Sequence, residues 1–195
     1  MAMRFISDLH LNHNNVLHFD KRPFKTIEEH NNFIVNQWNN VVKEDDEIYI
    51  LGDVGFGGSS KIVSIISSLK GKKHLVIGNH DRKLLKNPDF KNLFETISEK
   101  KILTLDSKRI TLNHEPITHY DCQFYGGEMY YGHVHNGKSW AAVLKEQELL
   151  ASLEIPTLMY NVCVSCPYIN YAPRTREEIK TGFVNWLKEG DVIFD

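Results

Sequence analysis

Short apolar runs, most of them followed by a polar cluster, recur along the chain. Six runs have the length and the Ile, Val, Leu or Tyr content of β-strands. They are Met3–Ser7, Glu47–Leu51, His74–Ile77, Arg109–Leu112, Glu128–Tyr131 and Met159–Val164. Elsewhere apolar residues return every three or four positions, which is the spacing of amphipathic helices. This alternation of strands and helices predicts an α/β fold.

Four segments carry helix signals. The predicted helices run from Thr26 to about Val42, from Ser59 or Ser60 to Lys70 before Gly71, from Ala141 to Leu153, and from Thr175 to a stop at Gly190. Capping boxes mark two of the starts, because Thr26 precedes Glu29 and Thr175 precedes Glu178 at the required spacing. Helices separate the early strands, whereas later strands follow each other more closely, which favours mixed over purely parallel sheets.

The length and composition fit a single domain over residues 1–195. One domain has on the order of 150 residues, and no repeat or Pro/Gly/Ser-rich linker divides the 195 residues of this chain. The 23 basic and 25 acidic side chains give a formal net charge of -2, so no global charge field attracts nucleic acid or an anionic membrane. Since no signal peptide and no run of the ~20 apolar residues that span a bilayer is visible, we expect a cytoplasmic protein without a membrane partner.

Polar clusters follow five of the predicted strands directly. In chain order they are Asp8-Leu9-His10, Gly52-Asp53, Gly78-Asn79-His80-Asp81, Asn113-His114 and Gly132-His133-Val134-His135. Side chains at the carboxyl ends of neighbouring strands meet at one edge of a sheet, where α/β proteins bind ligands. Asp8 and His10 are two positions apart, so along a strand they would share one face, and the same holds for His133 and His135.

The residue types in these clusters point to a pair of metal ions. Two aspartates, an asparagine and four histidines are too many ligands for one tetrahedral zinc, which needs four. Their number suits two ions that share a bridging carboxylate. Imidazole, carboxylate and amide ligands without thiolate suit Mn, Fe or Zn, in agreement with a composition of ten His and only three Cys.

The ordered series D-x-H, G-D, G-N-H-D, H and G-H-x-H, from Asp8 to His135, resembles the calcineurin-like metallophosphoesterase superfamily. Each block alone arises readily by chance, but all five occur here in the order of the family, each after a β run. The short chain and the segments Arg22-Pro23-Phe24 and His114-Glu115-Pro116 further resemble small stand-alone prokaryotic or phage-type members. The resemblance implies a four-layer α/β/β/α sandwich of two facing mixed sheets flanked by helices.

The resemblance also implies a role for each residue of these blocks. The implied metal ligands are Asp8, His10 and His135 for one ion, Asn79, His114 and His133 for the other, and Asp53 as the bridge. His80 would face the scissile phosphate and assist the leaving oxygen, and Asp81 would orient the His80 imidazole. Two such ions, about 3.5–4 Å apart, turn a bridging water into a hydroxide that attacks phosphorus in line.

Three residues outside these roles are candidate substrate contacts. Asn12 and His13 follow the first block and would line the substrate mouth, with a plain structural or surface role as the alternative. Arg22 would clamp a substrate phosphate or serve only as a solvated loop charge. His30, inside a helix, and His74, at the start of a strand, are predicted to be structural.

Two further motifs favour structural interpretations. The glycine-rich segment Gly52–Gly58 lacks the Lys-Ser/Thr ending of a phosphate-binding Walker loop, which favours a mobile loop beside Asp53. Cys163-Val164-Ser165-Cys166 lies in and after a β run, whereas a redox C-x-x-C opens a helix. We therefore predict buried or incidental thiols.

The sequence predicts metal-dependent hydrolysis of a small phosphoester, either a monoester or a diester. A nuclease acting on short nucleic acid is one alternative, although the net charge of -2 argues against long nucleic acid, which needs a basic stripe. An inactive interaction module on the same fold is the other alternative. The complete Gly78–Asp81 block argues against it, since inactive relatives have lost catalytic residues.

Overall fold

Two mixed β-sheets form the centre of the protein in the computed structural model, which describes residues 1–189. The strands of the first sheet are β1 (Met3–Ile6), β2 (Glu47–Leu51), β3 (Lys72–Val76), β4 (Thr96–Ser98) and β9 (Arg174–Thr175). Their order is β4-β3-β2-β1-β9. Strands β1 to β4 run parallel, and β9 pairs antiparallel with β1 at the edge.

The second sheet has four strands. They are β5 (Lys100–Leu105), β6 (Lys108–Asn113), β7 (Glu128–Tyr131) and β8 (Met159–Asn161), in the order β5-β6-β7-β8. The β5–β6 pair is antiparallel, and the other two pairs are parallel. The prediction of mixed sheets is therefore confirmed. Strands β4, β5 and β9 were not predicted; β4 and β9 have only three and two residues, too few to show a period.

Six α-helices accompany the sheets in the part of the chain that the structure describes. They are α1 (Val16–Phe19), α2 (Ile27–Val41), α3 (Ser59–Ser67), α4 (Pro88–Lys91), α5 (Lys138–Ser152) and α6 (Arg176–Glu189). All four predicted helices are present, but α3 ends at Ser67 rather than Lys70, and α5 begins at Lys138 rather than Ala141. The predicted stop at Gly190 lies outside the described residues. Within those residues, no helix is both long enough and apolar enough to cross a bilayer.

Helices cover the outer faces of the sheets. The connections β1-α2-β2 and β2-α3-β3 are crossovers between parallel strands, and such crossovers are almost always right-handed, which places both helices on one face. Trp38 of α2 and Ile62 of α3 are fully buried there. On the other side, Phe183 of α6 packs edge-on against Tyr160 of β8, with ring centroids 5.4 Å apart. The predicted arrangement of two mixed sheets flanked by helices is confirmed.

The two sheets meet along β1. The ring of Phe5 packs edge-on against Tyr130 of β7, with centroids 4.8 Å apart. Ser7 donates its backbone N–H to the Val162 carbonyl at 2.9 Å and accepts from the Val164 N–H at 2.9 Å. The segment Met159–Val164, which was predicted as one strand, therefore leaves the second sheet after Asn161 and pairs with the chain just beyond β1. This junction holds together the edge at which the polar clusters lie.

Candidate metal centre

The seven side chains predicted to bind metal converge at the strand ends of both sheets. Asp8 and His10 follow β1, Asp53 follows β2, Asn79 follows β3, His114 follows β6, and His133 and His135 follow β7. The first four belong to segments leaving the first sheet, and the last three to segments leaving the second. The centre therefore spans the junction between the sheets.

Most of these side chains are directed toward the centre by a left-handed backbone conformation at their own residue, and not by the alternation of side chains along a strand. Strand β1 ends at Ile6 and β7 at Tyr131, before the ligand pairs that were expected to share a strand face. That explanation was wrong, although the convergence it predicted is present. Positive φ is uncommon outside glycine and clusters at functional sites, where the rest of the fold holds it in place. Five of the seven residues have it: Asp8 (56°), His10 (48°), Asp53 (54°), His133 (67°) and His135 (51°).

Asp8, His10 and His135 form the first group of ligand atoms. The Nε2 atoms of His10 and His135 lie 3.1 Å apart, and His135 Nε2 lies 3.6 Å from Asp8 Oδ1. One ligand atom from each residue falls within 4.8 Å of the others, which is the arrangement of side chains that share an ion. The Asp8 carboxylate is fixed by the Ser7 hydroxyl, which donates to it at 2.6 Å, and by the His133 N–H at 3.1 Å.

Asn79, His114 and His133 form the second group. His114 Nε2 lies 2.9 Å from Asn79 Oδ1 and 3.3 Å from His133 Nδ1, and Asn79 Oδ1 lies 3.1 Å from His133 Nδ1. His114 Nδ1 lies 2.8 Å from the Leu51 carbonyl oxygen. Because a carbonyl only accepts hydrogen bonds, the proton of the neutral His114 ring is on Nδ1 and the lone pair is on Nε2.

Asp53 lies between the two groups. Its Oδ2 atom is 3.7 Å from His10 Nε2 in the first group and 3.6 Å from His114 Nε2 in the second. Its Oδ1 atom accepts a hydrogen bond from the His80 N–H at 3.0 Å. One carboxylate therefore faces both groups, as a bridging ligand must.

The donor set fits divalent cations. With its proton on Nδ1, His114 presents the Nε2 lone pair to Asn79 Oδ1 at 2.9 Å, an arrangement of two acceptors that suits a cation beside them. Burial and, to a smaller extent, the charge of Arg22 lower the pKa of His10, which keeps its imidazole in the neutral form that binds metal. Burial, with the charge of Asp8 adding to it, raises the pKa of Asp53. A bound cation would offset the repulsion between the Asp8 and Asp53 carboxylates.

His80 faces a cavity beside the ligand atoms. The cavity has a volume of about 670 Å³ and opens onto both groups. The His80 side chain is 44% exposed, and its Nε2 atom lies 3.9 Å from Asp53 Oδ2. Phe19, Lys21 and Lys138 also line this cavity, although no sequence motif marked them.

Asp81 has a different role from the one that the resemblance implies. Its side chain is fully buried, and its two carboxylate oxygens accept hydrogen bonds from the backbone N–H groups of Gly78, Asp53 and Val54 at 2.8–2.9 Å. The carboxylate therefore holds the turns that carry Asp53 and Asn79, instead of orienting the His80 ring. Buried N–H groups need an acceptor, and Asp81 supplies it here.

The substrate contact predicted for Arg22 is wrong. The Arg22 side chain is completely buried, and its guanidinium donates to the backbone carbonyls of Asp8 and Leu9 at 2.8 and 3.0 Å. It also donates to Asp20 Oδ2 at 2.7 Å and lies 2.8 Å from His30 Nε2. Every edge of the guanidinium thus has an internal partner, and none faces the cavity.

Asn12 and His13 lie beside the first group, outside the residues that line the cavity in the described part of the chain. Asn12 donates from its side chain to the Phe56 carbonyl at 3.2 Å. His13 Nδ1 lies 3.2 Å from His10 Nδ1, and the His13 ring stacks on Phe56 with centroids 3.9 Å apart. These contacts support the loop around His10, and a substrate contact for Asn12 or His13 stays a prediction.

Asp20 is a buried acidic residue at this centre that the sequence blocks do not include. Its Oδ2 atom lies 3.2 Å from His135 Nδ1, and only 2% of its side chain is exposed. Burial opposes ionisation, but the close contact with His135 and the charge of Arg22 lower the pKa of Asp20 to about 2. Burial likewise opposes protonation of His135, yet the carboxylates of Asp20 and Asp8 raise its pKa to about 10, so a metal ion at Nε2 would displace a proton. No local pattern marks Asp20, because it lies in a loop between α1 and α2.

The residues predicted to be structural are buried. Cys163 and Cys166 are fully buried free thiols, and burial raises the pKa of each, which keeps both protonated and unreactive. His30 is fully buried against Arg22, and burial lowers its pKa to about 3. The His74 ring stacks on Tyr49 with centroids 4.5 Å apart.

A family model and two known proteins match this chain. The family model of the calcineurin-like phosphoesterase superfamily domain matches residues 1–148. The uncharacterized protein MJ1445 of Methanocaldococcus jannaschii is 31% identical over 198 residues, 99% of this chain and 97% of that protein. The gene 66 protein of Mycobacterium phage L5 is 36% identical over 80 residues, 40% of this chain and 38% of that protein.

One solved structure extends the agreement to the fold. The protein of unknown function AQ665 from Aquifex aeolicus matches with a TM-score of 0.67 and 27% identity over 92% of this chain and 98% of that chain. The family match covers the five polar clusters, from Asp8 to His135, and the structural match covers most of the chain. The resemblance seen in the ordered clusters is therefore confirmed, and the chain belongs to the calcineurin-like phosphoesterase superfamily.

Proposed function

We propose that this protein hydrolyses a small phosphoester with the help of two divalent metal ions. Membership of a phosphoesterase superfamily implies hydrolase activity. The observation that supports the finer proposal is the position of Asp53, whose Oδ2 atom lies 3.6–3.7 Å from a ligand nitrogen of each group. A buried carboxylate that faces ligand atoms of both groups is suited to bridge two ions rather than to bind a single one.

Seven side chains would hold the ions. Asp8, His10 and His135 form the first subsite, Asn79, His114 and His133 form the second, and Asp53 belongs to both. Divalent ions bound there would polarise a phosphoester and make a water acidic enough to attack it near neutral pH. Manganese, iron and zinc suit this imidazole and oxygen set.

The rest of the chemistry belongs to the side chains of the cavity. The exposed ring of His80 lines the cavity, with Nε2 3.9 Å from Asp53 Oδ2, and would face the leaving oxygen of a phosphoester bound there. The protonated ring would donate its proton to that oxygen as the P–O bond breaks, a contribution of about 10²–10⁴-fold. Lys21 and Lys138 are among the residues that line the same cavity, and their positive charges favour an anionic substrate.

Turnover of model esters tests the proposed function. The Mn²⁺-loaded protein is expected to release p-nitrophenol from p-nitrophenyl phosphate, bis-p-nitrophenyl phosphate or both. The metal content of the same sample is measured by mass spectrometry. A sample that holds two ions per chain and hydrolyses neither ester would contradict the proposal and favour an inactive interaction module.

His80→Ala tests the role of the imidazole. The variant is expected to keep both ions, because His80 contributes its backbone N–H, and not its ring, to the Asp53 carboxylate. A general acid matters most for poor leaving groups, so the loss of kcat should be larger for phenyl phosphate than for p-nitrophenyl phosphate. His119→Ala, at a histidine that lines a different cavity, is the matched control. An equal loss on both esters would contradict a proton-donating role.

A further inference from the structure

The first metal subsite has a second layer of buried charge behind it. Asp20 Oδ2 lies 3.2 Å from His135 Nδ1, on the opposite side of the imidazole from the Nε2 atom that faces His10. Neither Asp20 nor its partner Arg22 belongs to the five motif blocks. Both side chains are almost completely excluded from solvent, at 2% and 0% exposed.

The two nitrogens of the His135 ring point in different directions, so Asp20 and the first subsite sit at opposite ends of it. Nε2 lies 3.6 Å from Asp8 Oδ1 and 3.1 Å from His10 Nε2. A carboxylate at Nδ1 cannot share an ion with Nε2 of the same ring. His135 Nδ1 makes no hydrogen bond within the described residues; a small turn of the ring would let it donate to Asp20 Oδ2, 3.2 Å away, which would leave the Nε2 lone pair free for metal and fix the plane of the ring.

Arg22 connects this carboxylate to the other ligands of the subsite. Its Nε donates to Asp20 Oδ2 at 2.7 Å, while Nη2 and Nη1 donate to the Asp8 and Leu9 carbonyls at 2.8 and 3.0 Å. One guanidinium therefore ties Asp20 to the backbone that presents Asp8 and His10. These contacts need arginine, because its planar guanidinium donates several hydrogen bonds in fixed directions, which a lysine ammonium cannot do.

We propose that Asp20 is a positioning residue of the first metal subsite, held by Arg22 so that its carboxylate orients His135 toward the ion. The inference rests on the proposed metal-dependent function and adds a second layer to it. Asp20 acts through His135 and does not touch the substrate phosphorus. The Asp20–Arg22 pair also explains why a fully buried arginine lies beside a metal centre without reaching the cavity.

Metal affinity, measured apart from turnover, tests the role of Asp20. The Mn²⁺ affinity of the full chain is followed by the electron paramagnetic resonance signal of free Mn²⁺ during titration. Asp20→Asn is expected to lower the affinity for one of the two Mn²⁺ ions by about 10–100-fold, the usual effect of removing a partner of a metal-bound histidine. The other ion, at Asn79, His114 and His133, should bind as in the wild type.

Asp46→Asn is the matched control. Asp46 is also 2% exposed and accepts from an arginine, Arg4 Nε at 3.3 Å, but its other partners are the backbone N–H groups of Ala2 and Lys43. Its loss should lower thermal stability without changing either Mn²⁺ affinity. Equal weakening by both substitutions would show a general loss of stability and would overturn the positioning role.

Chemical rescue keeps the test decisive if Asp20→Asn folds poorly. Asp20 lines the cavity, so added formate can reach the space left in Asp20→Ala and is expected to restore part of the lost Mn²⁺ affinity. Wild-type binding of both ions by folded Asp20→Asn would overturn the inference while leaving the proposed function intact. Failure of the wild type itself to bind Mn²⁺ would instead overturn the proposed function and the inference together.

Discussion

Single residues at this centre do two kinds of work, since some supply ligand atoms and others hold the backbone that presents them. The ordered blocks identified the first kind, because imidazole and carboxylate groups at fixed spacing are recognisable in a sequence. Asp20, Asp81 and Arg22 belong to the second kind, and apart from the Asp20–Arg22 pair the contacts that give them this role are with backbone atoms or with residues distant in sequence. No local pattern encodes such contacts, which explains the wrong expectations for Arg22 and Asp81.

Asp53→Ala is expected to abolish the binding of both ions. The carboxylate faces a nitrogen of each group at 3.6–3.7 Å, so its removal takes a ligand and a negative charge from both subsites and leaves the second subsite with no carboxylate. Metal content after gel filtration, measured by mass spectrometry, checks this outcome. His80→Ala serves as the comparison and should retain two ions. An Asp53→Ala protein that still holds both ions would disprove the bridging assignment.

Gly132 is a position at which any side chain would enter the first subsite. A Cβ atom there would lie 2.3 Å from both Asp8 Oδ2 and Ser7 Oγ, far inside van der Waals contact. Gly132→Ala is therefore expected to displace the Asp8 carboxylate, to weaken Mn²⁺ binding and to lower the free energy of unfolding by about 1–3 kcal/mol. Urea unfolding and a Mn²⁺ titration measure the two effects.

Gly58→Ala is the control for the Gly132 substitution. A Cβ at Gly58 meets no atom within 4 Å, so this change should leave Mn²⁺ binding unaltered and, since Gly58 is the N-cap of α3, should lower the free energy of unfolding by less than about 1 kcal/mol. If Gly132→Ala bound Mn²⁺ as tightly as Gly58→Ala, the close packing of the β7 end against Asp8 would have no part in shaping the subsite.

At the scale of helices and strands, elements with local signals were predicted better than those without. The capping box of α6 is reciprocal, because the Glu178 N–H donates to Thr175 Oγ1 at 3.3 Å and the Thr175 N–H donates to Glu178 Oε2 at 2.8 Å. Strand β9, immediately before it, has two residues and exists only because β1 offers an edge. Its pairing depends on tertiary structure, which a local pattern does not contain.

Glu128 attaches α6 to β7 through a buried charge cluster. The carboxylate is 1% exposed and accepts from Arg176 Nη2 at 2.7 Å and from Lys180 Nζ at 3.1 Å. Glu128→Gln leaves these cations without a counter-charge. It is expected to lower the free energy of unfolding, measured in urea at about pH 7, by about 1–3 kcal/mol.

The effect of Glu128→Gln should depend on pH in a defined direction. Burial alone would raise the pKa of Glu128, but hydrogen bonds from Arg176 and Lys180 outweigh it and lower the pKa below the usual value of 4.5. The stabilisation is thus fully present above pH 4.5 and is lost as pH falls through the lowered pKa. The difference from the wild type should therefore shrink in acid.

Asp121→Asn provides the surface comparison for this ion pair. Asp121 pairs with Arg109, but their side chains are 35% and 45% exposed, so the change should cost at most about 1 kcal/mol. A Glu128→Gln effect no larger than this, or one that grows as the pH falls, would contradict the assignment of Glu128 as the anchor of α6.

At the scale of the whole molecule, the metal centre lies where the two sheets are joined. The first subsite combines Asp8 and His10 from the first sheet with His135 from the second, and the second subsite likewise combines Asn79 with His114 and His133. The ligands thus converge only after both sheets have formed and packed together. The sequence predicted which residues would meet. The left-handed turns and the backbone β-bridge between Ser7 and Cys163, which bring these residues together, arise from tertiary packing.

Ligands drawn from both sheets make metal binding a source of global stability. An ion that binds only the folded state adds about 2.7 kcal/mol when its concentration is 100 times Kd. For a chain of 195 residues, each kcal/mol raises Tm by about 2–4 °C. Saturating one subsite with Mn²⁺ should therefore raise Tm by about 5–11 °C over the protein in a chelator. Scanning calorimetry with and without Mn²⁺ measures this difference.

Asp53→Ala separates this effect from non-specific ion binding, since the variant lacks the shared ligand and its Tm should be the same in Mn²⁺ and in chelator. A wild-type protein that binds two Mn²⁺ ions without any rise in Tm would show that the ions bind the unfolded chain as tightly as the folded one, and would contradict the assigned ligand set. The assigned ligands include His10 and His135, which are 125 residues apart in sequence and come within 3.1 Å only at the folded junction of the sheets.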